Sequence, residues 1–208
     1  MGKITKIEFQ KKNKDKVNLF VDNEFVMGIA AELVYKENLN VGSQISTEKL
    51  QSVAKREAIV RCKDSALHII ERSYKTEKQL RDKLIQKGFD EETIEVVIDF
   101  VKEYNFINDE RYAKAFIKDN IRTKGSKKIK YELIRKGVAK DIIERALKMI
   151  DGDEEKENAL IIGEKKYKTL IKNDDDTYKI SGKLYRFLTM RGYNYDIVKD
   201  VVKEIMKS

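Results

Sequence analysis

Side chains able to do acid–base, metal or nucleophilic chemistry are scarce in this sequence. Among 208 residues there is one histidine and one cysteine. His68 stands among Ala66, Leu67, Ile69 and Ile70, a helical setting that suits a structural or surface imidazole better than a catalytic base. Cys62, being alone, excludes an internal disulfide framework and a multi-cysteine zinc site, and reads as a buried thiol serving as a small hydrophobe. Neither G-x-x-x-x-G-K-[ST] nor G-x-G-x-x-G occurs, so no phosphate cradle is encoded. Two acidic clusters could in principle hold a divalent ion. "DGDEEKENALII", from Asp151, begins like a calcium loop, but Lys156 stands where the turn needs glycine and Ile162 where a bidentate carboxylate belongs. In "NDDDTY", Asp174, Asp175 and Asp176 are adjacent on a loop and point in different directions, which fits a solvated connection better than a magnesium-dependent nuclease. No catalytic residue, metal ligand or cofactor is assigned, and the chain is not expected to be an enzyme.

The remaining chemistry is electrostatic. Lysine and arginine exceed aspartate and glutamate by 44 to 36, a net charge of +8, which favours a polyanion or an acidic protein surface as partner. The excess is concentrated. Residues 121–148 hold ten cations against Glu132, Asp141 and Glu144, a local charge of +7. The candidate binding residues are Arg122, Lys124, Lys127, Lys128, Lys130, Tyr131, Arg135 and Lys136. With Ile129 and Leu133 facing a core, Lys127, Tyr131 and Arg135 fall at i, i+4 and i+8 on the opposite face, with Lys128 beside them. A solvent-facing tyrosine between cations can stack on a base or anchor a protein contact while the cations neutralise phosphates or carboxylates. The alternative is an ordinary solvated basic face.

These residues must be positioned by helices. When Gly88, Gly137 and Gly192 are set in register, Leu84, Leu133 and Leu188 stand four residues before the glycine, and Leu80, Ile129 and Leu184 eight before. Ile94, Ile143 and Val198 follow it by six residues, and Ile98, Leu147 and Val202 by ten. The pattern predicts helix, glycine turn, helix, each glycine supplying a left-handed cap. Thr76, Ser126 and Ser181 are the expected N-caps of the middle helices, and Asp109 that of the helix opening the second repeat, whose buried stripe is Tyr112, Ala113, Phe116 and Ile117. A further amphipathic segment upstream of each pair makes three helices per repeat. Only the second repeat offers cation, aromatic, cation at the outer positions; the equivalents are Lys78, Asp82 and Gln86 in the first and Gly182, Arg186 and Met190 in the third.

The amino-terminal stretch differs. Ile4, Ile7, Phe9, Val17, Leu19, Val21, Phe25 and Met27 alternate like strands broken by "KNKD" and "VDNE", predicting a hairpin or three-stranded element, then a helix near 29–37 and a loop at "NVGS". The expected fold is mainly α: tandem three-helix repeats in an elongated array with a small N-terminal β-hairpin-containing segment. The domains read as 1–55, an N-terminal β/α segment; 56–107, repeat one; 108–152, the basic repeat two; and 153–208, repeat three. No segment has the apolar length of a signal peptide core or a membrane span. A soluble cytoplasmic monomer with no membrane partner is expected.

"EKQLRDKLIQKGF" followed by "FINDERYAKAFIKDNIRTKGSKKIKYELIRKGV" resembles the RecX family of bacterial recombination regulators. Its signature is matched here by Ile107, Asn108, Asp109, Tyr112 and Ala113. The resemblance is clearest over 58–148 and runs in register through the third repeat, where Lys-Gly becomes Arg191-Gly192. It implies a partner, the RecA recombinase filament on DNA, and modulation, typically inhibition, of its ATPase, strand exchange and coprotease action in DNA repair and the SOS response. In that setting the cations of the basic second repeat are expected to meet DNA phosphates, nonspecifically, or an acidic filament surface. Carboxylates on the third helices, as in "DEETIEVVIDFVKEYN", argue against sequence reading in the major groove. The competing reading is a stand-alone nonspecific DNA-binding helical repeat protein that acts by competing for DNA.

Overall fold

In the computed structural model the described residues are 1–149, 152–172 and 176–207. They group into two units, one of 1–73 with 80–106, the other of 74–79 with 107 onward. Asp151, Asp174 and Asp175 of the two acidic clusters lie outside the described residues.

The first unit begins with strands β1 (Gly2–Phe9), β2 (Lys16–Val21) and β3 (Glu24–Ala30), then helix α1 (Ala31–Lys36) and strand β4 (Gln44–Ile45). They form one sheet of order β3-β2-β1-β4, antiparallel at every pairing. The sheet thus has a fourth strand beyond the three read from the sequence. Asp22 and Asn23 both take positive φ, 52° and 71°, as a two-residue hairpin turn requires for its twist to match the strands. One face of the sheet buries Ile4, Val17, Leu19, Val21 and Ile29 together with Leu33 of α1 and Val53.

Val53 belongs to α2 (Thr47–Arg72), a 26-residue helix started by Ser46, whose hydroxyl accepts from the Lys49 amide. α2 runs unbroken through residues 55 and 56, so the boundary expected there falls inside a helix. Near its middle Glu57 is buried, accepts the Ala30 amide at 2.6 Å and pairs with Lys16 at 3.0 Å. Further along, Cys62 is buried and its thiol is pushed up to about 11 by burial and then by Asp90; a thiol at such a value stays protonated and inert at neutral pH. His68 is on the surface, 3.4 Å from Glu71. α2 packs on α4 (Glu91–Glu103). Between them in sequence lies α3 (Glu77–Gln86), which buries Leu80 and Leu84 and whose first turn groups with the second unit.

The second unit carries two more three-helix repeats: α5 (Asp109–Asn120), α6 (Ser126–Arg135) and α7 (Lys140–Leu147), then α8 (Gly152–Leu170), α9 (Thr177–Arg191) and α10 (Tyr195–Ile205). Ala113, Ile117, Ile129, Leu133, Val138 and Ile143 form the first of its cores, and Ala159, Leu184, Leu188, Tyr193, Val198 and Val202 the second. All three repeat glycines take the left-handed conformation, Gly88 at φ 83°, Gly137 at 89° and Gly192 at 87°.

Several helix starts differ from the sequence reading, and that of α6 is held by another repeat. Thr76 does cap α3, its hydroxyl accepting the Gln79 amide while Gln79 accepts the Thr76 amide, a reciprocal box. Its hydroxyl also donates to the Lys136 carbonyl beside the Gly137 turn. α6, however, is capped by Gly125, and Ser126 is already helical. The Gly125 amide donates to the Arg191 carbonyl at 2.9 Å, the Lys127 amide to the Gly192 carbonyl at 3.1 Å, and the Ser126 amide to buried Glu155 at 2.7 Å. A helix N-terminus in repeat two therefore sits on the glycine turn of repeat three, where opposite ends of two helix dipoles meet. For α9, Asp176 is the cap, accepting from the Tyr178 and Lys179 amides, and Ser181 lies inside the helix. α5 is capped by Asn108, whose side chain accepts the Arg111 amide. Asp109 caps a different helix, accepting the Glu77 amide of α3 at 2.9 Å.

Candidate partner-binding face

α6 is ten residues long and buries one stripe, Ile129 and Leu133, against α5 and α7. That burial fixes what the rest of the helix shows. Lys127, Tyr131 and Arg135 are all exposed, Tyr131 at 60%. The Arg135 guanidinium lies over the Tyr131 ring, 5.9 Å from its centre, so the aromatic face and the cation are already assembled on one surface.

The other predicted site residues divide by what they touch. Lys124 is half-buried, bridged to Glu132 at 2.7 Å and set over the Phe116 ring. Lys130 pairs with Glu144 at 2.9 Å, and its ammonium holds that carboxyl below its ordinary value. Lys136 lies over Phe116 and Tyr112. Lys128 does not stand beside the outer row: it covers the Gly192 turn, with its Nζ 3.4 Å from the Met190 carbonyl. Arg122 is exposed at the end of α5 and lines a cleft of about 670 Å³ with Ile117, Lys118, Ala146 and Met149.

The carboxylates of this stretch are neutralised from within it. Each of its three carboxylates is matched by a cation of the same stretch, Glu132 by Lys124, Glu144 by Lys130 and Asp141 by Arg145. Arg145 likewise keeps the Asp141 carboxyl below its ordinary value. Of the eight predicted residues, Arg122, Lys127 and Arg135 are the exposed cations with no carboxylate partner among the described residues. Lys127, Tyr131 and Arg135 on α6 make a surface suited to phosphates, carboxylates and a flat π-system, while Arg122 stands in the separate cleft. Among the described residues no three His, Cys, Asp or Glu side chains gather as a metal site would need, and no helix is long and apolar enough to cross a membrane.

Sequence reasoning missed two features. Glu155, read only as part of a failed calcium loop, is the buried acceptor for the start of α6. The outer face of the N-terminal sheet carries an aromatic and cationic row that appears only once register is known.

The comparisons with known proteins agree with this architecture. Four family models match in order: the regulatory protein RecX N-terminal domain at 2–46, and the first, second and third three-helix domains of RecX at 62–100, 108–147 and 153–202. The chain is 54% identical over 204 residues to the regulatory protein RecX of Clostridium botulinum (strain Eklund 17B / Type B), covering 98% of this chain and 96% of that one. It is 44% identical to that of Clostridium tetani (strain Massachusetts / E88), covering 100% and 96%. A crystal structure of regulatory protein RecX shares the fold at TM-score 0.78 and 22% identity, covering 98% of this chain and all of that one. RecX from Lactobacillus salivarius aligns at TM-score 0.66 and 25% identity over 74% of this chain and 99% of that one. Four consecutive domain matches and relatives that align from end to end place this chain in the RecX family of regulatory proteins.

Proposed function

We propose that this chain is a non-enzymatic regulator that binds the RecA recombinase filament on DNA and inhibits its ATPase, strand exchange and coprotease activities. The observation that carries the reading is the outward row Lys127, Tyr131 and Arg135 on α6, exposed and free of carboxylate partners among the described residues, in a chain whose relatives are regulatory proteins. In this reading the two cations meet DNA phosphates or acidic side chains of the filament, Arg122 adds a third charge, and Tyr131 anchors the contact. Lys124, Lys128, Lys130 and Lys136 shape the surface through their own partners. Contacts made by successive repeats of one chain add as linked weak sites do, so occupancy of the filament blocks subunit addition or strand entry. The protein works in the cytoplasm as a monomer.

A competing reading follows from the same cations: nonspecific DNA binding, with any effect on RecA arising from competition for the strand. The test is RecA's DNA-dependent ATPase, titrated with this protein while the DNA is in large excess over both. Inhibition at near-stoichiometric ratio to RecA supports filament docking. Inhibition at limiting DNA that disappears as DNA is added shows competition, and no effect at either DNA level refutes both.

A further inference from the structure

The outward face of the N-terminal sheet carries more than solvation requires. β1 pairs Lys6 with Phe20 of β2, and β2 pairs Phe20 with Phe25 of β3, so three side chains stand in one row across three strands on the face opposite the core. Phe25 is 59% exposed and meets Phe20 edge to face at 5.8 Å. Lys6 Nζ lies over the Phe20 ring at 5.5 Å and is held by Glu8 at 2.8 Å. The next row is Glu8, Asn18 and Gly28. Above it the Gln10 amide donates to the Asn18 carbonyl oxygen at 2.9 Å, its nitrogen 2.9 Å from where a β-carbon on Gly28 would sit. That bond leaves a second carbonyl oxygen and a second amide group of the pair available to a ligand. Beyond this row the β1–β2 hairpin presents Lys11, Lys12 and Lys14, all exposed, against Asp15 alone.

We infer that this face is a second nucleic-acid contact, a stacking platform for the unpaired bases of a single strand. The order of chemistry along the sheet fits that ligand: an exposed ring to take a base face, an amide pair to meet a base edge, then a run of lysines for the phosphates that follow. Sheet surfaces that receive single-stranded nucleic acid combine aromatic stacking with side-chain contacts to base edges, and stacking tolerates any sequence because every base has a π-face. A duplex, whose bases already stack on one another, offers nothing to Phe25. A protein partner would fit a contiguous apolar patch, whereas here two rings are bordered by amides and charges. The face belongs to the first unit and shares no residue with the α6 row, so it stands or falls independently of the RecA reading.

The chain contains no tryptophan, so Phe25→Trp places a single tryptophan, excited selectively beyond the tyrosine absorption band, on the platform of the full-length protein. Titration with an oligo(dT) of about 12 nucleotides, a length within single-strand site sizes, should quench its emission saturably, while the same length of duplex should not. Quenching should persist when Lys127, Tyr131 and Arg135 are all alanine, and should weaken when Lys11, Lys12 and Lys14 are. In the parent chain Phe25→Ala and Phe25→Leu should each weaken binding of a labelled oligo(dT) by about fivefold or more, the low end of one lost base stack. Leucine keeps the apolar bulk, so equal loss in both variants isolates the ring. Unchanged tryptophan emission while anisotropy reports oligonucleotide binding would overturn the platform and leave the α6 face standing. Equal quenching by duplex, or no oligonucleotide binding at all, would overturn it as well.

Discussion

Replacing Gly125 by alanine adds one methyl group at an ordinary backbone angle, φ −75°, so no left-handed strain is introduced. What it meets decides the outcome. An ideal β-carbon there would lie 2.4 Å from the carbonyl carbon and oxygen of Gly192 and from the Tyr193 nitrogen, all backbone atoms, more than 1 Å inside the optimum near ~3.5 Å. Backbone cannot rotate away as a side chain can, so the start of α6 must lift off the Gly192 turn. Overpacking of this kind costs about 1–3 kcal/mol. Stretching the bonds from Gly125 to Arg191 and from Lys127 to Gly192 adds about 1 kcal/mol each at the net worth of a hydrogen bond. Restricting the unfolded chain returns about 0.4–1 kcal/mol. The balance is a loss of about 2–5 kcal/mol. Gly88→Ala is the control: φ is 83° with nothing within 4 Å, leaving only left-handed strain of about 1–2 kcal/mol before the same unfolded-state return. Urea unfolding followed by circular dichroism, with amide exchange read at Ser126–Lys128, measures both. A Gly125→Ala protein as stable as its parent, or less perturbed than Gly88→Ala, would refute the proposed junction between repeats two and three.

Three further outcomes are expected. Glu57→Ala leaves the Ala30 amide without its buried acceptor and removes the partner of Lys16, a loss of about 1–3 kcal/mol in denaturant unfolding for one orphaned group, whereas Glu57→Gln should retain part of it. Glu37 is held below its ordinary value of 4.5, first by a hydrogen bond from Lys49 and also by Arg56. Its contribution is therefore complete above 4.5 and drains as pH falls through the lowered value, so an acid titration of thermal stability should show a limb below 4.5 that is shallower in Glu37→Gln. Binding of the chain to single-stranded DNA should weaken with salt at a slope of about 0.7 per neutralised phosphate, and Lys127→Ala with Arg135→Ala together should reduce that slope by about 1.4 in a salt series.

The glycine spacing made the fold legible, because a left-handed cap and the apolar stripes on either side of it are local properties of the chain. Helix starts were less legible where the cap was not local. Ser126 has the chemistry of a cap, yet the acceptors that stabilise the start of α6 are the Arg191 and Gly192 carbonyls and Glu155, all in the third repeat. Asp109 has the chemistry and position to cap its own helix, yet it serves α3 at a separation of 32 residues. The same limit applied to the candidate face. Burial of Ile129 and Leu133 predicted that Lys127, Tyr131 and Arg135 point outward, which they do. The spacing of α6 does not show that Lys128 and Lys130 have partners of their own, at Met190 and Glu144. The aromatic row of the sheet depends on register, and register depends on the Asp22–Asn23 turn and on the irregularities at Lys6 and Phe20, which alternation alone does not locate.

The most direct test is cosedimentation of this chain with RecA–DNA filaments, at salt high enough to abolish its own DNA binding, comparing the parent with a variant carrying alanine at Lys127, Tyr131 and Arg135. Retention of the parent on the filament and its loss in a folded triple variant is the predicted result. Equal retention of both, or release of the parent at the salt that removes it from bare DNA, would contradict docking through the second repeat.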